Sequence, residues 1–286
     1  MRNLTEANLT EAVVAAMAGA KDARTKEILS GLVEHLHAFI REVNLTEAEW
    51  LAGIQFLTAV GQKCDDKRQE FILLSDTLGA TTMKDLINHR KPPGVTEYTI
   101  LGPFHRTDAP EFPLMGNIAG DWLGEPVIVQ GRVLTRDGSP IPKAALDVWQ
   151  SDAKGFYDLQ MPDIEGTALR GIFHADADGQ FAFRTIKPAF YPIPYDGPVG
   201  QMLIAMGRHP YRPAHIHFIV SAEGHQPVTT ELFVEGDPYL DSDAVFGVRG
   251  SLVVPFVRHD AADEATRLNV PAPFYTVDYD FVLEPA

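Results

Sequence analysis

Proline is distributed unevenly along this chain, and that unevenness limits what it can fold into more than any other feature. All 21 prolines lie at or after Pro92, and only five of the 23 glycines come before it. Proline removes a backbone donor and clashes with the preceding helical turn, so a proline-free stretch of 91 residues permits long helices. The apolar spacing there agrees. Leu29, Leu32, Val33, Leu36, Ile40 and Val43 recur at i, i+3/i+4, which is the stripe of an amphipathic helix. A second helix is expected to open at Thr46-Glu47-Ala48-Glu49, a capping-box pattern, and to carry Trp50, Leu51, Ile54, Leu57 and Val60. A third segment, 66–78, should stop at Gly79, a suitable C′ residue. The string NLTEA occurs at 3–7, 8–12 and 44–48; without a fixed period it reads as helix-start chemistry, not a repeat architecture.

From Pro92 onward the pattern changes to short apolar runs broken by turn residues. PVIVQGRVL (126–134) reads as a strand followed by the hairpin-type turn Arg136-Asp137-Gly138. AALDVWQ, GQFAFRTI, AHIHFIV, TTELFV, GSLVVPFV and TVDYDFVL repeat the theme. No helical pattern of crossover length separates them, which argues against a parallel βαβ sheet and for an antiparallel sandwich or barrel. The expected class is α+β, with a helical region over 1–91 and an antiparallel β-sandwich over 92–286.

Charge and cysteine content exclude several functions. With 24 Lys+Arg against 39 Asp+Glu, the net charge of −15 works against a reader of nucleic-acid phosphates. Cys64 is the single cysteine, so neither an internal disulfide nor a thiolate-rich metal site can form. The opening MRNLTEANLTEAVV has no continuous apolar run, so the expectation is a cytoplasmic protein without signal peptide or membrane span.

The densest chemical signal is Arg212-Pro213-Ala214-His215-Ile216-His217-Phe218. Residues i and i+2 of a strand share a face, so His215 and His217 project together. Such a pair is either individually hydrogen-bonded or binds a metal. The neighbouring Ile219 and Val220 read as core, and burial demands a partner for each imidazole. Two tyrosines could complete a donor set: Tyr157 in Gly155-Phe156-Tyr157-Asp158, and Tyr191 in Phe190-Tyr191-Pro192-Ile193-Pro194. Two phenolates would favour a trivalent ion such as Fe(III) over Zn(II). Spacing alone does not separate these tyrosines from ordinary core or surface aromatics.

Four strings carry a resemblance: LDVWQSDAKGFYD (146–158), YPIPYDGPVG (191–200), GRHPYRPAHIHF (207–218) and GDPYLDSDAVF (236–246). They follow one another with 34 positions from Tyr157 to Tyr191 and 24 from Tyr191 to His215. In these the chain resembles the intradiol ring-cleaving dioxygenases, non-haem ferric enzymes of the catechol 1,2-dioxygenase type. The resemblance implies that Tyr157, Tyr191, His215 and His217 hold one Fe(III) per subunit. Tyr191 would leave the metal as substrate binds and take up a substrate proton, and Arg212 would stabilise negative charge on the activated ring. It further implies a homodimer formed through the helical 1–91 region, which would also act as a pocket lid and hold a phospholipid-like molecule. The partners implied are a small aromatic diol or triol and O2, with no nucleic acid and no membrane.

Within that family the chain is most similar to the hydroxyquinol-cleaving type, which converts benzene-1,2,4-triol to 3-hydroxy-cis,cis-muconate (maleylacetate). The pocket residues this implies are Leu73, Asp76, Ile193, Pro194 and Val245. Asp76 could accept a hydrogen bond from a third ring hydroxyl, or could be an exposed helix carboxylate. Two departures stand out: Ile100-Leu101-Gly102-Pro103 replaces a more aromatic segment, and Glu231 stands where catechol-cleaving members commonly carry Gln. The alternatives are a catechol or substituted-catechol 1,2-dioxygenase, a zinc or ferrous enzyme of cupin type, and a non-catalytic transthyretin-like β-sandwich binding protein.

Overall fold

The computed structural model describes residues 2–66, 68–161 and 163–286. The chain divides between Gln62 and Lys63 into two compact units. The first holds α1 (Leu9–Ala15), α2 (Ala23–Glu42) and α3 (Glu47–Lys63), the last ending at the boundary. Asp22 caps α2 by accepting from the Thr25 amide at 2.6 Å. The capping box before α3 is formed: the Glu49 carboxylate accepts from the Thr46 amide at 2.9 Å, and Thr46 Oγ1 accepts from the Glu49 amide at 3.3 Å. The expected stripe of α2 is present, yet α2 buries none of its residues and leaves Leu29, Leu32, Leu36 and Phe39 exposed.

The second unit begins with α4 (Glu70–Thr77) and α5 (Ala80–Asn88), joined through Gly79 at φ +74°. α4 starts later than the expected residue 66 and ends where Gly79 predicts. The strands follow: β1 (Pro126–Thr135), β2 (Ala145–Gln150), β3 (Arg170–His174), β4 (Gln180–Ile186), β5 (Tyr191–Pro192), β6 (Tyr211–Arg212), β7 (His215–Ser221), β8 (Val228–Val234), β9 (Val253–Val254), β10 (Val257–His259), β11 (Phe274–Asp278) and β12 (Phe281–Leu283). Two short helices interrupt them, α6 (Pro198–Ala205) and α7 (Ala262–Leu268).

One sheet runs β10-β11-β1-β12, with β4 also paired to β1; the other runs β3-β2-β7-β8-β9. A single apolar core lies between them. Val127, Val129, Phe181, Phe183 and Phe281 from the first sheet meet Leu146, Val148, Ile216, Phe218 and Leu232 from the second. The sandwich is therefore as expected, but its sheets are mixed, not purely antiparallel. β11 and β12 both pair parallel to β1, and β9 pairs parallel to β8. Strands that return after a long connection are free of the hairpin constraint on direction, and β1 satisfies its edge with either sense. The turn at Gly138 also forms, with φ +85° and its amide on the Thr135 carbonyl at 2.9 Å. It closes only a local bridge between Leu134 and Pro140, and the chain then enters the opposite sheet as β2.

Candidate metal centre

The inward residues of β7, Ile216, Phe218 and Val220, enter the core, so the alternation of the strand turns His215 and His217 to its other face. That face is covered as well, and both imidazoles are about 1% exposed. Cross-strand pairing places Trp149 of β2 and Glu231 of β8 on either side of His217. The Trp149 ring lies parallel to the imidazole, with centroids 4.7 Å apart and planes 4° apart.

Tyr157 reaches the same place from the loop after β2. Asp152 builds the turn: its Oδ1 accepts the amides of Lys154 at 2.8 Å and Phe156 at 2.9 Å. Gly155 sits there at φ +88°, and a Cβ on it would fall 2.6 Å from Tyr191 Cβ. Only glycine lets the two tyrosine-bearing segments approach this closely. Tyr191 comes in on β5, directly opposite Arg212 on β6.

Four donor atoms converge. Tyr157 Oη lies 3.4 Å from Tyr191 Oη, 3.3 Å from His215 Nε2 and 3.1 Å from His217 Nε2, and the two Nε2 atoms are 3.1 Å apart. His215 Nδ1 faces the Pro213 carbonyl at 2.7 Å, which assigns the proton to Nδ1 and leaves the Nε2 lone pair turned inward. The His217 ring presents Nδ1 to Glu231 Oε1 at 3.4 Å, outside hydrogen-bonding geometry. Burial and then the Arg212 charge lower the His215 pKa, while burial and then His215 hold His217 well below its ordinary value. Both imidazoles are thus neutral and available as ligands. Burial raises both tyrosines, with Tyr191 adding to the shift at Tyr157, so a cation placed here has to displace phenolic protons. Two neutral imidazoles and two buried phenols within bonding reach of one point form a hard oxygen and nitrogen set that fits a metal ion. His215, His217 and Glu231 also form a buried group whose ligand atoms lie within 4.8 Å of one another.

The remaining residues singled out in the sequence fall in two places. Ile193 and Val245 form one apolar cluster with Ile100, Leu203 and Ala244, against which Leu73 packs; Pro194 beside Ile193 is half-buried. Ile100, from the segment that departs from the family pattern, is therefore part of the same cluster. Asp76 is a buried residue of α4, and burial raises its pKa against the pull of Thr81 and Arg212. Arg212 is buried among Glu231, Asp243 and His215. Sequence reasoning assigned no role to Phe104, which stacks on Tyr157 at 4.3 Å, or to Asp243. Asp243 lies inside a quoted string, but nothing in its spacing marks it as a partner of Arg212. Arg208 donates to the Thr77 carbonyl at 2.6 Å and the Ala244 carbonyl at 2.9 Å, strapping α4 to the loop that carries Val245.

The chain matches the catechol dioxygenase N-terminus family over residues 22–96 and the dioxygenase family over 100–285. It is 50% identical over 285 residues to a 6-chlorohydroxyquinol 1,2-dioxygenase of Cupriavidus pinatubonensis, covering 100% of this chain and 99% of that protein. It is 51% identical over 280 residues to a hydroxyquinol 1,2-dioxygenase of a Rhizobium species, covering 97% and 95%. A solved hydroxyquinol 1,2-dioxygenase from Pseudomonas putida superposes with a TM-score of 0.94 at 49% identity, covering 98% of this chain and 99% of that one. Since the match runs through the helical region and the sheets alike, the protein belongs to the intradiol ring-cleaving dioxygenases.

Proposed function

We propose that this enzyme holds one ferric ion through Tyr157, Tyr191, His215 and His217 and cleaves hydroxyquinol between its adjacent hydroxylated carbons. Both atoms of O2 would enter the product, 3-hydroxy-cis,cis-muconate. The observation that carries this is the buried convergence of two phenol oxygens and two imidazole nitrogens at 3.1–3.4 Å. Glu231 is the less suitable fourth donor, because Arg212 already occupies both of its oxygens, at 2.7 and 3.2 Å. Ferric iron in such a site supplies Lewis acidity, lowering the pKa of a bound diol and readying its ring for O2 without an external reductant.

The protein's own residues do the rest. Tyr191, whose phenol burial makes a strong base once ionised, is suited to take a substrate proton at Oη. Arg212 presents a fixed cation beside the charge that develops on the ring. Ile100, Ile193, Val245 and Leu73 form an apolar wall that orients the ring and excludes water. Asp76 accepts the third hydroxyl; plain catechol would leave that buried carboxylate one donor short, a penalty of about 1–3 kcal/mol. The hydroxyquinol names of relatives near 50% identity support the same choice.

The test is oxygen uptake by iron-loaded protein without reductant, with hydroxyquinol and catechol compared on one preparation. A visible tyrosinate-to-iron absorption is expected, to be lost or shifted in Tyr157→Phe and lost with the metal in His215→Ala. A colourless protein would favour zinc or ferrous ion on His215, His217 and Glu231, and a catechol preference would remove hydroxyquinol as substrate.

We further propose a cytoplasmic homodimer in which a second copy covers the exposed apolar faces of α2 and α3, which include Leu32, Leu36, Trp50 and Ile54. Apolar surface of this extent on a single chain is the usual mark of an interface. A phospholipid acyl chain bound there is the other outcome that native mass measurement would reveal.

A further inference from the structure

Arg212 has five N–H donors, and two buried carboxylates take four of them. Glu231 Oε1 accepts from Nη1 at 2.7 Å and Oε2 from Nη2 at 3.2 Å. Asp243 Oδ1 accepts from Nε at 3.1 Å and Oδ2 from Nη2 at 3.2 Å. The fifth, on Nη1, faces His215 Nε2 at 3.2 Å, the atom turned toward the centre. One carboxylate would suffice to neutralise the guanidinium. A second costs desolvation, and its return is geometric: two carboxylates on two edges of a planar fork leave one orientation.

Asp243 is also fastened to the substrate wall. Its Oδ1 accepts the Val245 amide at 3.3 Å, its Oδ2 accepts the Gly247 amide at 2.8 Å, and its carbonyl accepts the Phe246 amide at 3.1 Å. These bonds hold Phe246 in the left-handed region at φ +59°, while the Val245 carbonyl is tied to Thr82 Oγ1 at 3.0 Å. Gly247 is closed against the cluster: a Cβ there would fall 2.7 Å from Arg212 Nη2 and 3.1 Å from Asp243 Oδ2.

We propose that Asp243 is a positioning residue for ring cleavage, setting the Arg212 guanidinium and the 243–247 loop that presents Val245 as one unit. This rests on the roles given above to Arg212 and Val245. Asp243 acts on the ring only through Arg212 and the loop, and it touches none of the four proposed ligands directly.

In the iron-loaded enzyme, Asp243→Asn is expected to lower kcat on hydroxyquinol about tenfold or more, the scale of a misplaced catalytic group. Iron content and the resting tyrosinate-to-iron absorption should stay as in the unmodified enzyme, and KM should move less than kcat. The loop's share of the effect falls on substrate placement and the larger share, on kcat, passes through the fork. Asp243→Asn should therefore lower kcat little further in an Arg212→Lys background, which keeps the charge but not the fork. The proposal is overturned by a kcat within roughly twofold of the unmodified enzyme, or by an equal loss in the Arg212→Lys background. An Arg212→Lys enzyme of full activity would remove the role of Arg212 itself, and with it the proposal. An impaired Arg212→Lys beside an unaffected Asp243→Asn would remove the positioning role alone. Should Asp243→Asn fail to fold, Gly247→Ala decides, since its Cβ displaces the guanidinium while both carboxylates remain. It should reproduce the loss in kcat with iron and absorption retained, and an unchanged kcat would overturn the proposal.

Discussion

His217 is held between the face of Trp149 and the carboxylate of Glu231, and with His215 it is kept neutral mainly by burial. The sign of the consequence is fixed. Unfolded imidazoles take up protons near the ordinary value of 6.5, and these two do so only at lower pH while folded. Their contribution to stability is therefore complete above that pH and is lost as the pH falls below it. The metal-free protein should melt at a lower temperature at about pH 5.5 than at about pH 7.5; a flat thermal profile would contradict neutral burial. Asp76 runs the other way. Its raised pKa means that the folded protein holds the charged form at a cost. Asp76→Asn should raise the melting temperature and lower the preference for hydroxyquinol over catechol by about tenfold. Steady-state kinetics on both substrates check this, and an unchanged ratio would release Asp76 from substrate choice. From sequence alone Asp76 had two readings, because helix position does not reveal which side a later loop will cover.

The strands were legible wherever apolar residues ran together or alternated between turn residues, as in PVIVQGRVL and AHIHFIV. β3 was not. It opens with Arg170, and a charge reads as surface until Asp158 is seen beside it, accepting from the Arg170 Nε at 2.7 Å in the interior. Mixed pairing was equally hidden, since strand direction depends on the path between strands and not on their residues. The turn of Gly155 shows an element controlling the centre without supplying a ligand. Gly155→Ala combines an unfavourable φ of +88° with a contact of 2.6 Å to Tyr191 Cβ. It should reduce iron content and weaken the visible absorption although all four proposed donors remain. Wild-type iron content in that variant would mean that the two loops can separate without disturbing the tyrosines.

At the scale of the molecule, α2 carries the periodicity of a helix with one face turned from water, yet Leu32 and Phe39 stand 59% and 52% exposed in the single chain. Leu32→Glu is expected to shift the enzyme from dimer to monomer in sedimentation while the centre keeps its iron and colour. A dimer that survives the substitution would place the subunit contact elsewhere. No helix among the described residues is long and apolar enough to cross a membrane, so the exposed stripe is not explained as a spanning segment.

By itself the sequence determined that helices give way to strands beyond the proline-free stretch and that one strand carries two histidines on one face, and its one cysteine bars a thiolate-rich site. These follow from local rules: proline sterics, the two-residue period of a strand, and the presence of a single cysteine. Only the tertiary structure decided which tyrosines meet those histidines. It likewise decided that Asp76 is buried, that Ile100 joins the apolar cluster of Ile193 and Val245, and that Glu231 and Asp243 grip one guanidinium. Each of these depends on register between strands and on loops arriving from segments far apart in the chain, and no local pattern encodes where two distant loops will meet.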